Sequence, residues 1–178
     1  MLSSRMAGYV LLGTEPWADS LQPAATRSLR DAGFVIALTP YASAEMKELA
    51  TVLLPIGTFA ETSGTYVNLA GTWQSFNGAA VPLGESRPGW KVLRVLGNLA
   101  GLAGFEQQSS EDVRTELRAS VPVEGLRASA GIGAAPPAAQ VPPNVEIAET
   151  PLYQADPLVR RAGALQRTRT ARSARGLV

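Results

Sequence analysis

The sequence contains no cysteine and no histidine in 178 residues. The first absence excludes disulfides, cysteine-held iron–sulfur clusters and thiolate zinc sites. The two together exclude Ser-His-Asp and Cys-His catalysis on residue type alone. Proton transfer near neutral pH would fall to a perturbed carboxylate, lysine or tyrosine. Long apolar runs are missing too, since none approaches the roughly 18 residues of a membrane span. Near the N-terminus the apolar stretch from Tyr9 to Leu12 is too short for a signal-peptide core. The expectation is a cytoplasmic chain with no direct membrane insertion.

What is present suits one ordinary domain with a core and some tail: 46% of residues are hydrophobic and 17% charged. Sixteen basic and fifteen acidic residues give a net charge of +1, no footprint of a nucleic-acid binder. The charge is unevenly placed. After Asp156 come Arg160, Arg161, Arg167, Arg169, Arg172 and Arg175 with no acid among them. Such a tail can attract an anionic surface, and the plainer reading is a solvated terminus. No nucleic-acid partner is expected.

Three short apolar runs, Tyr9 to Leu12, Phe34 to Leu38 and Val52 to Leu54, lack strict alternation and read as strands buried on both faces. Between the first two, Asp19 or Ser20 can cap a helix with Pro23 in its first turn and Leu29 on its apolar face, stopped by Gly33. Ser43 can cap a second helix carrying Met46 and Leu49. The fold class is therefore α/β, a partial doubly wound parallel sheet (βαβαβ) with right-handed crossovers. Thr65 to Asn68 and Trp73 to Phe76 then suit a small hairpin around a four-residue turn. Flanking helices follow, one carrying Trp90 and Leu93, the other starting at Ser110 with Val113 and Leu117 turned inward. Residues 120–150 are rich in Pro, Ala and Gly and read as a disordered linker. The domain expectation is thus 8–119 for the α/β body, 120–150 for the linker, and 151–178 for a docking segment and basic tail.

Ligands of open parallel sheets bind beyond the carboxyl ends of the strands, here around Gly13-Thr14-Glu15, Thr39 to Ser43 and the loop after Ile56. No phosphate-binding glycine fingerprint occurs there. The densest polar stretch runs from Glu61 to Asn68. A carboxylate placed three residues before a glycine pins a loop through backbone N–H groups, and Asn68 can do the same at the hairpin. The same groups can alternatively touch a polar ligand. Trp73 and Trp90 suit core or interface anchoring, and Trp17 is expected to be the exposed aromatic.

The residues Leu53-Leu54-Pro55, Phe59-Ala60-Glu61, Gly64-Thr65-Tyr66-Val67-Asn68, Gly71 and Gln74 resemble a segment of the molybdopterin oxidoreductases. The wider pattern, Phe76 to Ala80, Pro82 to Gly84 and Arg87 to Asn98, is similar to one branch of that family. This branch is the large iron–sulfur subunit of bacterial NADH-quinone oxidoreductase (respiratory complex I). Tyr153 to Ala162 resembles the C-terminal signature of the same branch. Two departures stand out: Ala50-Thr51 where an Ala-Asp is common, and Ala70-Gly71-Thr72 in place of Glu-Gly-Arg.

The resemblance implies the C-terminal portion of such a large subunit. It implies a non-catalytic scaffold supporting electron transfer from NADH to quinone, with no cofactor in this chain and iron–sulfur clusters in a missing N-terminal part. Partners would be the other peripheral-arm subunits of complex I, at the inner face of the cell membrane. The alternative it leaves open is a molybdopterin guanine dinucleotide-binding domain, with Glu61, Thr65 and Asn68 as cofactor contacts.

Overall fold

The computed structural model describes residues 6–19, 23–121, 152–169 and 171–172. The expected linker, apart from its first residues, and the end of the tail lie outside these. The described residues divide into two compact units, one of 6–14 with 24–121 and one built on 15–19 with 152–172.

The first unit is organised by a parallel sheet of β1 (Gly8–Leu12), β2 (Phe34–Thr39) and β3 (Val52–Pro55) in that order. Its register runs Gly8 to Phe34 through Leu12 to Leu38, then Ile36 to Val52 through Thr39 to Pro55. The crossovers carry α2 (Pro23–Arg30) and α3 (Ala44–Leu49). This is the βαβαβ arrangement that the apolar runs and their spacing predict.

Burial concentrates on the middle strand. Val35, Ala37 and Leu38 are buried, and Leu29 of α2, Met46 of α3 and Ile56 just past β3 join them in the core. Truncating Leu29, Leu38 or Met46 to alanine costs about 2–5 kcal/mol. The outer strands differ from the expectation of double-sided burial, because Val10, Leu12 and Val52 are about half exposed. Among the described residues β1 and β3 are the edges of a three-stranded sheet, so one flank of each has no neighbouring strand.

Caps explain where the helices start. Ser43 accepts a hydrogen bond from Met46 N at 3.2 Å, as its position before α3 predicts. The helix expected with Pro23 in its first turn is α2, and a short α1 (Pro16–Asp19) that sequence reasoning did not foresee precedes it; Ser20, a candidate cap, lies outside the described residues. Past β3, a single 3-10 turn (Phe59–Glu61) leads into the hairpin of β4 (Gly64–Val67) and β5 (Trp73–Phe76). The hairpin pairs antiparallel from Gly64 with Phe76 to Val67 with Trp73. Tyr66 and Phe76, diagonal neighbours on one face, stack with ring centroids 5.2 Å apart.

Two helices complete this unit: α4 (Gly89–Leu99) and α5 (Ser110–Ser120). Gly97 is buried because the Phe105 ring lies where its Cβ would be, 2.3 Å from Phe105 Cδ1. Helix α5 is capped by a reciprocal pair. Ser109 Oγ accepts from Asp112 N at 3.1 Å, while Asp112 Oδ2 accepts from Ser109 N at 3.0 Å. Val113 and Leu117 are not enclosed as expected, being 37% and 49% exposed. They line an open cavity of about 300 Å³ with Trp90, Leu93 and Phe105.

Among the described residues, the second unit holds α1 with the short helices α6 (Leu152–Ala155), α7 (Pro157–Arg161) and α8 (Gly163–Gln166). Asp156 caps α7 through Leu158 N and Val159 N, at 2.8 and 3.0 Å, and Pro157 fits its first position. Gln166 Nε2 donates to both Tyr153 O and Val159 O at 2.9 Å, tying the three pieces together.

Candidate functional site: the polar loop and hairpin

Glu61 ends the 3-10 turn, and the turn aims its carboxylate back at its own start. Oε2 accepts from Thr58 N at 2.8 Å and from Thr58 Oγ1 at 2.9 Å. Oε1 reaches across to Leu83 N at 3.1 Å. Ala79 N and Ala80 N both donate to Ala60 O, at 2.8 and 2.9 Å, so the loop 79–83 is laced to the turn. The backbone N–H of Thr58, then its hydroxyl, hold the Glu61 carboxyl below its ordinary value; burial opposes them less strongly, and Leu83 N adds the smallest lowering effect. A carboxyl favoured in its charged form by local donors acts as a brace.

Thr65 sits on β4 opposite Ser75 of β5, and their hydroxyls meet at 3.0 Å. Arg114 Nη1 of α5 donates to the same Ser75 Oγ at 2.6 Å. Ser63 and Ser110 hydroxyls pair at 2.9 Å, and the Arg118 guanidinium lies 5.3 Å from the centroid of the Trp73 ring. Helix α5 is thereby pinned to the hairpin through side chains. Composition gave no warning of this, because the partners are 39 and 47 residues apart in sequence.

Asn68 lies one residue beyond β4 rather than on it. Its Oδ1 accepts from Ala70 N at 3.0 Å and Thr72 N at 2.9 Å, closing the turn together with Gly71 at φ 78°. Each of the three sequence-singled residues is thus bonded to its own local partners, and no hydrogen bond joins Glu61, Thr65 and Asn68 to one another among these contacts. Among the described residues there is also no cluster of three or more acidic side chains fit to hold a metal.

The second unit holds the residues that sequence reasoning missed. Glu15, an isolated acid in the sequence, is buried and meets two arginines. Arg161 embraces it with both terminal nitrogens, Nη2 to Oε1 and Nη1 to Oε2, the latter at 3.1 Å. Arg160 Nη2 lies 3.3 Å from Glu15 Oε2 and 2.8 Å from Asp19 Oδ1. Asp19 in turn accepts from Glu15 N at 2.6 Å. The i, i+4 spacing of Glu15 and Asp19 was the available signal. Nothing local could identify partners more than 140 positions away.

Two expectations about surface residues change. Trp17 is half-buried, whereas Tyr66 and Phe59 are 68% and 65% exposed. Arg160 and Arg161, counted in the basic tail, are engaged with carboxylates. Among the described residues, no helix is long and apolar enough to cross a membrane.

Comparison with known proteins places these features. The pattern of the molybdopterin oxidoreductase family matches residues 2–99. The mitochondrial NADH dehydrogenase (ubiquinone) iron-sulfur protein 1 of Solanum tuberosum is 33% identical over 73 residues, 41% of this chain and 10% of that protein. The mitochondrial NADH-ubiquinone oxidoreductase 78 kDa subunit of Candida albicans is 45% identical over 47 residues, 26% of this chain and 6% of its own length. The matched stretches therefore span a tenth or less of these relatives. The sheet, the hairpin and α4 all fall inside the family's pattern, which covers more than half of the sequence, and on that ground the chain belongs to the molybdopterin oxidoreductase family.

Proposed function

We propose that the chain is a non-catalytic scaffold part of the large iron–sulfur subunit of an NADH-quinone oxidoreductase. It supports electron transfer from NADH to quinone alongside the other peripheral-arm subunits at the inner face of the cell membrane. One observation carries the reading: the family pattern is matched, and both relatives are subunits of NADH dehydrogenases. With no cysteine, clusters in such a protein would be held by other parts of it.

The polar loop supports a scaffold role. Both Glu61 oxygens and the Asn68 carbonyl oxygen are taken up by backbone donors, and Thr65 faces Ser75. Between Thr62 and Gly84 there is no lysine or arginine to balance the charge of a pyrophosphate. Acceptors already engaged by backbone N–H groups, and the lack of a basic side chain nearby, both favour a scaffold over a contact to a pterin dinucleotide. In cells depleted of this chain, NADH-dependent quinone reduction by isolated membranes is expected to fall while succinate-dependent reduction persists. Equal loss of both, or of neither, contradicts the reading.

The family pattern itself favours a second reading, a molybdopterin guanine dinucleotide-binding domain with Glu61, Thr65 and Asn68 as contacts. Metal analysis and pterin fluorescence of the purified chain decide it, and a blank in both removes it.

A further inference from the structure

The ion-pair cluster of the second unit is built unlike a core. Two neighbouring side chains of a five-residue helix, Arg160 and Arg161, engage two carboxylates one helical turn apart, Glu15 and Asp19. Their side chains retain 12% and 30% exposure for the arginines, and 8% and 31% for the acids. The joined segments are 141 residues apart for Arg160 with Asp19. Within the C-terminal segment the helices hold each other through the Asp156 cap and the two bonds of Gln166. The segment therefore has internal cohesion, and its ion pairs to the 15–19 turn run through two adjacent residues.

The physics of such a cluster makes it specific and only weakly stabilising. Taking charges out of water costs several kcal/mol per ion, and attraction in the interior offsets this only when every donor is satisfied. Here Arg160 Nε and Nη1 are buried with no hydrogen-bond partner among the described residues. Removing one side of the cluster, in contrast, strands a buried charge and is strongly unfavourable. Small net stability with a large penalty for mispairing is the behaviour of a latch.

We propose that residues 153–167 form a detachable strap, latched by Arg160 and Arg161 onto Glu15 and Asp19, that opens while the parallel sheet stays folded. The strap is a property of the chain itself and holds whichever reading of its function is right. Hydrogen–deuterium exchange followed by mass spectrometry on the full 178-residue chain tests it. In Glu15→Gln, and in the double variant Arg160→Gln with Arg161→Gln, exchange in 153–167 is expected to quicken about tenfold or more. Exchange in 34–39 of β2 is expected to stay unchanged. Arg167→Gln, which removes a charge from the same segment outside the latch, is expected to alter neither region. Unchanged exchange in 153–167 of the neutralised variants overturns the proposal. So does loss of protection in 34–39 alongside it, which would make the two regions one cooperative unit, or an equal effect from Arg167→Gln.

Discussion

Glu61 shows how a single carboxylate organises a loop by accepting three hydrogen bonds from two separated segments. Its folded value lies below the 4.5 of an unperturbed glutamate, with Thr58 as the main cause. The bonds therefore stabilise the fold fully above that ordinary value, and the contribution is lost as pH falls through the depressed folded one. Glu61→Gln is expected to destabilise the chain at neutral pH and to flatten the loss of stability on acidification below the ordinary glutamate value of 4.5, read by urea titrations at a series of pH values. Asn68→Ala removes the acceptor of two turn N–H groups and is expected to cost about 1 kcal/mol by the same titration. In sequence, the spacing of Glu61 and Asn68 around glycines was enough to suggest loop braces. It did not distinguish a brace from a ligand contact, because that depends on whether both lone-pair sites are already taken. The pairing of Thr65 with Ser75, and of Ser75 with Arg114, needed the register of the hairpin and the approach of α5.

Elements were legible where the local signal was strong. The continuous apolar run of β2 and the Ser43 cap of α3 needed no tertiary information, since both are properties of a few adjacent residues. The exposure of Val10 and Val52 was not legible, because a strand's hydrophobicity does not say whether it ends as an edge. Likewise Val113 and Leu117 carry the i, i+4 spacing of a buried stripe, yet they line an open cavity. Gly97 of α4 is where one element depends most sharply on another. An added methyl would meet the Phe105 ring at 2.3 Å, so Gly97→Ala is expected to destabilise by about 1–3 kcal/mol despite the higher helix propensity of alanine. Thermal denaturation followed by circular dichroism would show the lowered midpoint. A rise would mean that the ring moves aside freely.

At the scale of the molecule, a three-stranded sheet with two half-exposed edges encloses a small core. The isolated chain is therefore expected to be marginally stable, with a broad, weakly cooperative thermal transition in calorimetry. A sharp two-state melt would contradict this. The exposed apolar side chains of the hairpin and following loop, Tyr66, Leu69, Val81 and Leu83, fit a chain that completes its burial against partners. The family was legible in the sequence because its pattern lies in short local motifs of the loop and hairpin, Gly64 to Asn68 foremost. The ion pairs of Glu15 were not, since they join opposite ends of the chain. The central claim, that this chain works within an NADH-quinone oxidoreductase, is tested most directly by affinity purification of the tagged chain from gently solubilised native membranes. Peripheral-arm subunits and NADH-oxidising activity are expected to elute with it. Elution of the chain without either would contradict the claim.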